Sequence, residues 1–413
     1  MTAPRGPFEL LAFSCQYPAG LLGAPVAYGS MRRLREFVQG YGKNKPTPRA
    51  FCLGDLVYVD ATAGLADPIA LGDRYEVPYL RLFAEPTVDG TLGGSVIPWT
   101  RFHALPDDHE IHENWEPDPD DPRRAVQLER GLRAFRGRLE DSADRGNGRL
   151  WGPVHDQGSG WPVFLCDTRT ERERRTPATV GRAMLLGEQQ RCGLHDWLRG
   201  QVDAEDPFRP AIVMCPALLL PRMLAVARGG PAAALRSDGW DGYPASLYWL
   251  LRAVGESGLR NLVVVSGDLH LSFTATATVR VGNRPPVRVH SIHCSALHAP
   301  YPFANGRRAD LAVDDGFVLR DPGGCGPPVE CELKTADVTF ARIREGFGRI
   351  RVEPIAAAGL QAEPAWRLQV DFVDGFNHSG RPSARKPMDH CGIELPLACL
   401  PGAGPVPTGA PPT

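Results

Sequence analysis

The chain has no apolar run long enough to cross a bilayer. Its most apolar window, residues 211–227, is broken by Pro216, Pro221 and Arg222, whereas a spanning helix needs about 20 mostly apolar residues. The start, MTAPRGPFELLAFSCQYP, has neither a basic segment ahead of a long apolar stretch nor a twin arginine. No export signal is read there, and a cytoplasmic protein is expected. Net charge is nearly absent too, with 46 Lys+Arg against 48 Asp+Glu and a formal total of -2. Duplex nucleic acid is bound through a basic face, which this balance does not provide, so any anionic ligand must be held by a local site. Cysteines at scaffold spacing are missing as well. The 10 cysteines are scattered, several inside apolar stretches such as PVFLCDT and AIVMCPALLL, which reads as reduced, buried thiol. No internal repeat is present.

What is there is an ordinary globular composition, 43% hydrophobic and 23% charged over 413 residues. That length suits either several domains of about 150 residues or one large α/β domain with insertions. The 45 Gly and 40 Pro imply many turns between short elements. Short apolar runs, several of them ending in a Gly-Asp or Asp-rich turn, recur at 8–15, 49–55, 95–108, 161–169, 211–217 and 262–268. Such runs are buried strands of a sheet covered on both faces.

Helices are expected between them at 31–41, 123–140, 187–200 and 246–254. In the third, Leu194, Trp197 and Leu198 share one face. Strand–helix alternation predicts an α/β fold, with functional groups on loops beyond the carboxyl ends of the strands. After Ala299 the pieces ELKTADVTFARI, GRIRVEPIAA and WRLQVDFVDG read as strands completing a second sheet. The Pro/Gly-rich end is expected to lack fixed structure.

Four strand-end clusters carry the chemistry: Cys15; Asp55, Tyr58 and Asp60 in GDLVYVD; Asp107, Asp108, His109 and Glu110 in PDDHEIHENW; and Asp268 and His270 in SGDLH. Singly, an Asp after a Gly is a turn former or helix cap. Jointly, carboxylates, imidazoles, a phenol and a thiol on neighbouring loops suit hard divalent or ferric ions, and a two-metal site needs a bridging carboxylate. The clusters are expected to converge, although most of the chain separates Cys15 from His270.

In order, FSCQYP, GDLVYVD, DDHEIHENW, LCDTRTERER, LGEQQRCGLHDWL, DGWDGYP and VVVSGDLHLS resemble the successive motifs of the PhoD-like alkaline phosphatase D family, a branch of the calcineurin-like metallophosphoesterases. The resemblance spans roughly residues 10–300. It implies a four-layer α-β-β-α sandwich with two mixed β-sheets, a domain over 8–372 and an extension over 373–413. It further implies a ferric ion on Cys15, Asp55, Tyr58 and His270. Calcium or another divalent ion (Mn, Zn, Mg) would share Asp55 and be held by Asp108 and Asp268. His109 would contact the phosphoryl group or protonate the leaving oxygen, unless its pairing with Asp merely tethers a loop. Arg169 would clamp phosphate or pair with Asp167, with Arg172, Arg174 and Arg175 forming a solvated face. His290, Cys294 and His298 match no strong zinc template.

The sequence departs from the family pattern at Val213–Ala217, which holds no histidine, at Pro106 ahead of DDHE, and at Ser246, Leu247 and Tyr248. The N-terminal β-sandwich and export signal of secreted relatives are not found. The resulting expectation is hydrolysis of a small phosphate mono- or diester by metal-bound hydroxide, because a bound metal lowers the pKa of water from about 15.7 to about 7. A phosphate-ligand-binding protein that has kept the fold without turnover is the alternative. No ligand-type residue is replaced by an apolar one, which argues against it. Oligomeric state is not legible.

Overall fold

The computed structural model describes residues 7–17, 27–41, 47–60, 72–143, 148–154, 162–202, 208–299, 306–341, 345–355, 365–375 and 390–397. Along the chain the main strands are β1 (Phe8–Phe13), β2 (Arg49–Leu53), β3 (Phe102–Leu105), β4 (Gly152–Pro153), β5 (Val163–Leu165), β6 (Ala211–Cys215) and β7 (Asn261–Ser266). They continue with β8 (Phe273–Val281), β9 (Val287–His293), β10 (Asp315–Leu319), β11 (Val329–Phe340), β12 (Gly346–Ile355), β13 (Ala365–Asp374) and β14 (His390–Leu397). The longer helices are α1 (Gly29–Gln39), α2 (Glu76–Ala84), α3 (Pro122–Ala143), α4 (Glu188–Gly200) and α5 (Pro244–Ser257).

Two mixed sheets result. One has six strands in the order β14-β13-β12-β1-β2-β3, the other eight in the order β10-β11-β8-β9-β7-β6-β5-β4. Each holds a parallel block: β1 beside β2 beside β3, which runs to one edge of the smaller sheet, and β5 beside β6 beside β7 beside β9 in the middle of the larger one. The remaining strand pairs are antiparallel. The central strands are β-branched, apolar runs buried along their whole length, such as NLVVVS in β7, as parallel strands covered on both faces require.

Three apolar clusters place the elements. One contains Leu10, Phe51 and Leu368 of the six-stranded sheet together with Leu165, Met214 and Val265 of the eight-stranded sheet. A second packs Phe13, Cys52 and Phe102 against Met31 and Leu34 of α1 and Phe135 of α3. A third packs Phe164, Val213 and Val264 against Leu194 and Leu198 of α4 and Leu247 and Leu251 of α5, with Trp197 at its margin. Because alternate residues of a strand point to opposite faces, Leu10 and Leu11 of β1 enter different clusters.

The pieces after Ala299 do not complete one sheet. β11 pairs with β8 in the larger sheet, whereas β12 pairs with β1 and β13 with β12 in the smaller one. β14, within the stretch expected as an extension, pairs along β13 from Val373↔His390 to Trp366↔Leu397. The Pro/Gly-rich end, residues 398–413, lies outside the described residues. Among the described residues no helix is long and apolar enough to cross a membrane.

Candidate metal centre

The carboxyl ends of β1, β2, β3 and β7 meet where the two sheets join. The backbone N–H of Cys15 donates to Gly54 O at 3.2 Å, that of Gln16 to Asp55 O at 2.8 Å and that of Gly267 to Pro216 O at 3.0 Å. The approach tolerates no side chain at two positions. A Cβ on Gly267 would stand 2.5 Å from Ser14 Cβ, and one on Gly54, whose φ is 94°, would stand 2.5 Å from Asp107 Cβ.

Among the described residues, the non-glycine positions with positive φ are Cys15 (56°), Asp55 (55°), Asn114 (51°) and Asp268 (90°). Three are candidate ligands, and the N–H of the fourth donates to Asp108 Oδ2 at 2.6 Å. Left-handed backbone is unfavourable for residues with a Cβ and concentrates at functional sites.

The clusters come together here. Cys15 Sγ lies 3.5 Å from Asp55 Oδ2, and Tyr58 Oη lies 3.5 Å from His270 Nε2. The Tyr58 ring packs on His109 with centroids 4.1 Å apart. Two sets of side chains present ligand atoms within 4.8 Å of one another: Asp55, Asp108 and His109, and Asp55, Asp107 and Asp268. Asp55 belongs to both. Cys15 and His270 stand outside these sets.

The electrostatics call for a cation. Burial, then Cys15, Asp108, Asp107 and Glu110, push the Asp55 carboxyl well above its ordinary value. Burial, then Asp107, Asp238 and Asp108, do the same to Asp268. Burial pushes Asp107 up to about 6 against the pull of Arg169. The Cys15 thiol is pushed up to about 12 by burial, opposed by hydrogen bonds with Ser14 and Ser295, and the Tyr58 phenol is raised by burial and by Cys15 and Asp55.

Buried like charges this close are unstable unless protonated or neutralised, and a bound metal ion reverses that logic. Asp55 Oδ1 and Asp107 Oδ2 are buried with no hydrogen-bond partner, which leaves both free for an ion. The donor set of carboxylate oxygen, imidazole, phenol and thiol therefore fits a metal centre.

His109 is gripped through Nδ1 by Asp60 Oδ1 at 2.8 Å. Burial opposes its charge, but Asp60, Asp108 and Glu110 outweigh that and raise it to about 9. Asp60 also accepts the backbone N–H of Glu113, so it ties the His109 ring to its own loop.

Arg169 does not stand free as a phosphate clamp, and its side chain does not pair with Asp167. It is 1% exposed; Nε donates to Asp107 Oδ1 at 2.7 Å, Nη1 to Trp115 O at 3.3 Å, and Nη2 to Asp238. Asp167 instead accepts the backbone N–H groups of Arg169 and Thr170, each at 2.9 Å. Nor do the neighbouring arginines form a solvated face: Arg172 is buried against Asp238 and Thr168 O, and Arg175 against Glu116, with Arg174 alone half-exposed. His290 pairs with Thr276 Oγ1 at 3.0 Å and His298 with Glu345 at 3.1 Å. Neither they nor Cys294 join a ligand group among the described residues.

Two acids that the sequence placed in these clusters, but to which the resemblance assigned no role of their own, gain one here. Asp107 is in a ligand group. Glu110, fully buried, accepts the backbone N–H groups of Asp55, Leu56, Val57 and Asp107 at 3.1, 2.7, 3.3 and 2.7 Å. It fastens the β2 loop to the β3 loop. The run of consecutive acids in PDDHE was the available signal, but it does not say which acid faces the ion and which faces backbone.

The profile of PhoD-like phosphatases matches residues 50–315. The chain belongs to the PhoD-like phosphatase family. That match covers β2 through the start of β10 and so includes every candidate residue except Cys15. Among solved structures, "Structure of PhoD" is similar with a TM-score of 0.56 at 15% identity, covering 89% of this chain and 66% of that one. The chain thus spans somewhat less than two thirds of that PhoD structure. "GAP50 the anchor in the inner membrane complex of Plasmodium" aligns with a TM-score of 0.40 at 12% identity, covering 95% of this chain and 90% of that one. No curated protein matches the chain.

Proposed function

We propose that this PhoD-like chain is a metal-dependent phosphoric ester hydrolase acting on small phosphate mono- or diesters. The observation that carries the reading is Asp55, a buried carboxylate shared by two ligand groups at the junction of the sheets, with one oxygen left without a partner. The four-layer α-β-β-α arrangement belongs to the same reading, supported by one cluster joining the two sheets and two joining each sheet to helices.

Cys15, Asp55, Tyr58 and His270 would hold a ferric ion, and Asp55, Asp108 and Asp268 a calcium or other divalent ion. When bound, such a pair supplies Lewis acidity toward phosphoryl oxygens and an acidified water as nucleophile. The chain's own groups do the rest. Asp60 fixes the His109 ring beside Asp55 and Asp108, where an imidazole can deliver a proton to a departing alkoxide or hold a phosphoryl oxygen. Glu110 holds the loop that carries Asp55 and Tyr58.

The test is metal analysis of protein purified without chelator, followed by a mono- and diester screen with reconstituted metals. Absence of turnover with the centre filled would leave only a phosphate-binding role. Within an active enzyme, His109→Asn is expected to lower turnover at least 10²-fold, the loss typical of acid–base assistance, with metal content retained. Unchanged turnover, or metal lost along with activity, would show that the roles of His109 and Asp108 are wrongly divided.

Tyr58 gives a spectroscopic check. A phenol loses its proton near pH 10, and burial raises Tyr58 further. Phenolate at neutral pH therefore requires a strongly charged metal such as ferric iron. Iron-loaded protein is expected to show a visible tyrosinate-to-iron band that Tyr58→Phe abolishes or strongly shifts. An identical spectrum after the substitution would remove Tyr58 from the centre.

A further inference from the structure

Asp107 is 1% exposed and has only half of its carboxylate satisfied. Oδ1 takes Arg169 Nε at 2.7 Å, while Oδ2 is buried with no partner. The same side chain lies in one ligand group with Asp55 and Asp268, and Asp55 Oδ1 is orphaned likewise. A buried acceptor without a donor is costly, and two of them within one group of acids are arranged for a cation.

Arg169 leads outward from this group. Its guanidinium joins Asp107 at Nε to Asp238 at Nη2. Asp238 is 20% exposed and also takes Arg172, whose side chain is fully buried. Asp238 is thus an anchor, at the edge of solvent, for two enclosed cations.

We infer that Asp107 is a further ligand of the divalent site, and that Asp238 acts as a positioning residue that sets ion affinity through Arg169. The inference rests on the metal-centre reading above. A guanidinium is a rigid planar fork, so fixing Nη2 on Asp238 fixes the direction of Nε–H and with it the rotation of the Asp107 carboxylate. One oxygen is held and the other is presented, which is how outer partners orient metal-binding carboxylates. Asp238 also offsets the charge of Arg169, whose Nη2 lies 3.8 Å from Asp108 and would otherwise compete with the ion for that acid. The all-carboxylate group selects a hard divalent cation such as calcium, magnesium or manganese.

The experiment is calorimetric titration of the metal-stripped full chain with Ca²⁺ and with Mn²⁺, reading the number of ions and the Kd of each. Asp107→Asn is expected to lose one ion. Asp238→Asn is expected to weaken the same ion about 10- to 100-fold, the usual effect of removing an outer partner. Asp238→Glu, which can still meet Arg169, is expected to recover part of the affinity. Near-UV circular dichroism confirms that each variant is folded. If Asp238→Asn does not fold, Arg169→Lys takes its place, because one ammonium cannot bridge both acids as the fork does, and the same weakening is expected. Folded Asp107→Asn and Asp238→Asn proteins that bind both ions as tightly as wild type would overturn the inference, while loss of ions in Asp55→Asn would then leave the metal centre standing. A wild-type chain that binds no divalent ion would overturn both.

Discussion

Asp55→Asn is expected to reduce turnover about 10³-fold or more while making the metal-stripped protein more stable. The first effect follows from Asp55 belonging to both ligand groups, so one substitution weakens both ions. Metal charge stabilisation is worth several kcal/mol at the transition state, and each 1.36 kcal/mol is about tenfold in rate. The second effect has the opposite sign. Asp55 is buried among Cys15, Asp108, Asp107 and Glu110, all of which disfavour its charge, and Asn removes that charge while keeping a side chain that tolerates the φ of 55°. A gain of about 0.5–2 kcal/mol in the stripped protein is the size usual when a functional strain is relieved. Denaturant unfolding of both stripped proteins, with metal stoichiometry and turnover of the loaded ones, checks the two halves. A stripped variant less stable than stripped wild type would show that Asp55 is needed for packing, and full turnover with both ions retained would remove it from the centre.

That opposition between stability and function is why part of the site was legible in the sequence and part was not. Apolar runs ending in Gly-Asp mark strand ends, and Asp55 and Asp268 were found because such ends recur together with a thiol, a phenol and imidazoles, a combination that turn formation alone does not require. The helices were legible from apolar spacing, yet α1 and α5 begin two residues earlier than expected. Tyr28 and Tyr243 cap them without a side-chain hydrogen bond, so no Ser, Asp or Asn marked those starts. The Arg-rich stretch after Asp167 read as a solvated face because its partners are remote in sequence: Asp107 and Asp238 lie 62 and 69 residues from Arg169, and Glu116 lies 59 from Arg175. Likewise, Val and Ile content identified β11, β12 and β13 as strands but not their partners. β1 and β12 pair with Glu9 opposite Arg351, and the Arg349 side chain donates to Glu9 across 340 residues; periodicity carries no record of such a pairing.

Glu110→Ala is expected to destabilise the protein by about 4 kcal/mol or more, a large fraction of the roughly 5–15 kcal/mol by which a domain exceeds its unfolded state. The reason is the number of buried donors that depend on one side chain: the N–H groups of Asp55, Leu56, Val57 and Asp107 all converge on its two oxygens. Each buried group left without a partner costs about 1–3 kcal/mol. Sharing of donors and water entry keep the sum below the simple total. Glu110→Gln separates the donor count from the charge. Its remaining oxygen can serve two of the four N–H groups, while its amide brings two more donors toward the others, so an intermediate loss of about 2–4 kcal/mol follows from the same per-group figure. The ordering Ala worse than Gln worse than wild type in urea midpoints, at constant slope, is the expected result. Because the loop so held carries Asp55 and Tyr58, both variants are also expected to bind metal more weakly under conditions where they remain folded. If Glu110→Gln proved as stable as wild type and as tight for metal, the carboxylate would be spectator to the backbone it touches, and the geometry of the β2 loop would have to be attributed to Gly54 and its contact with Asp107 instead.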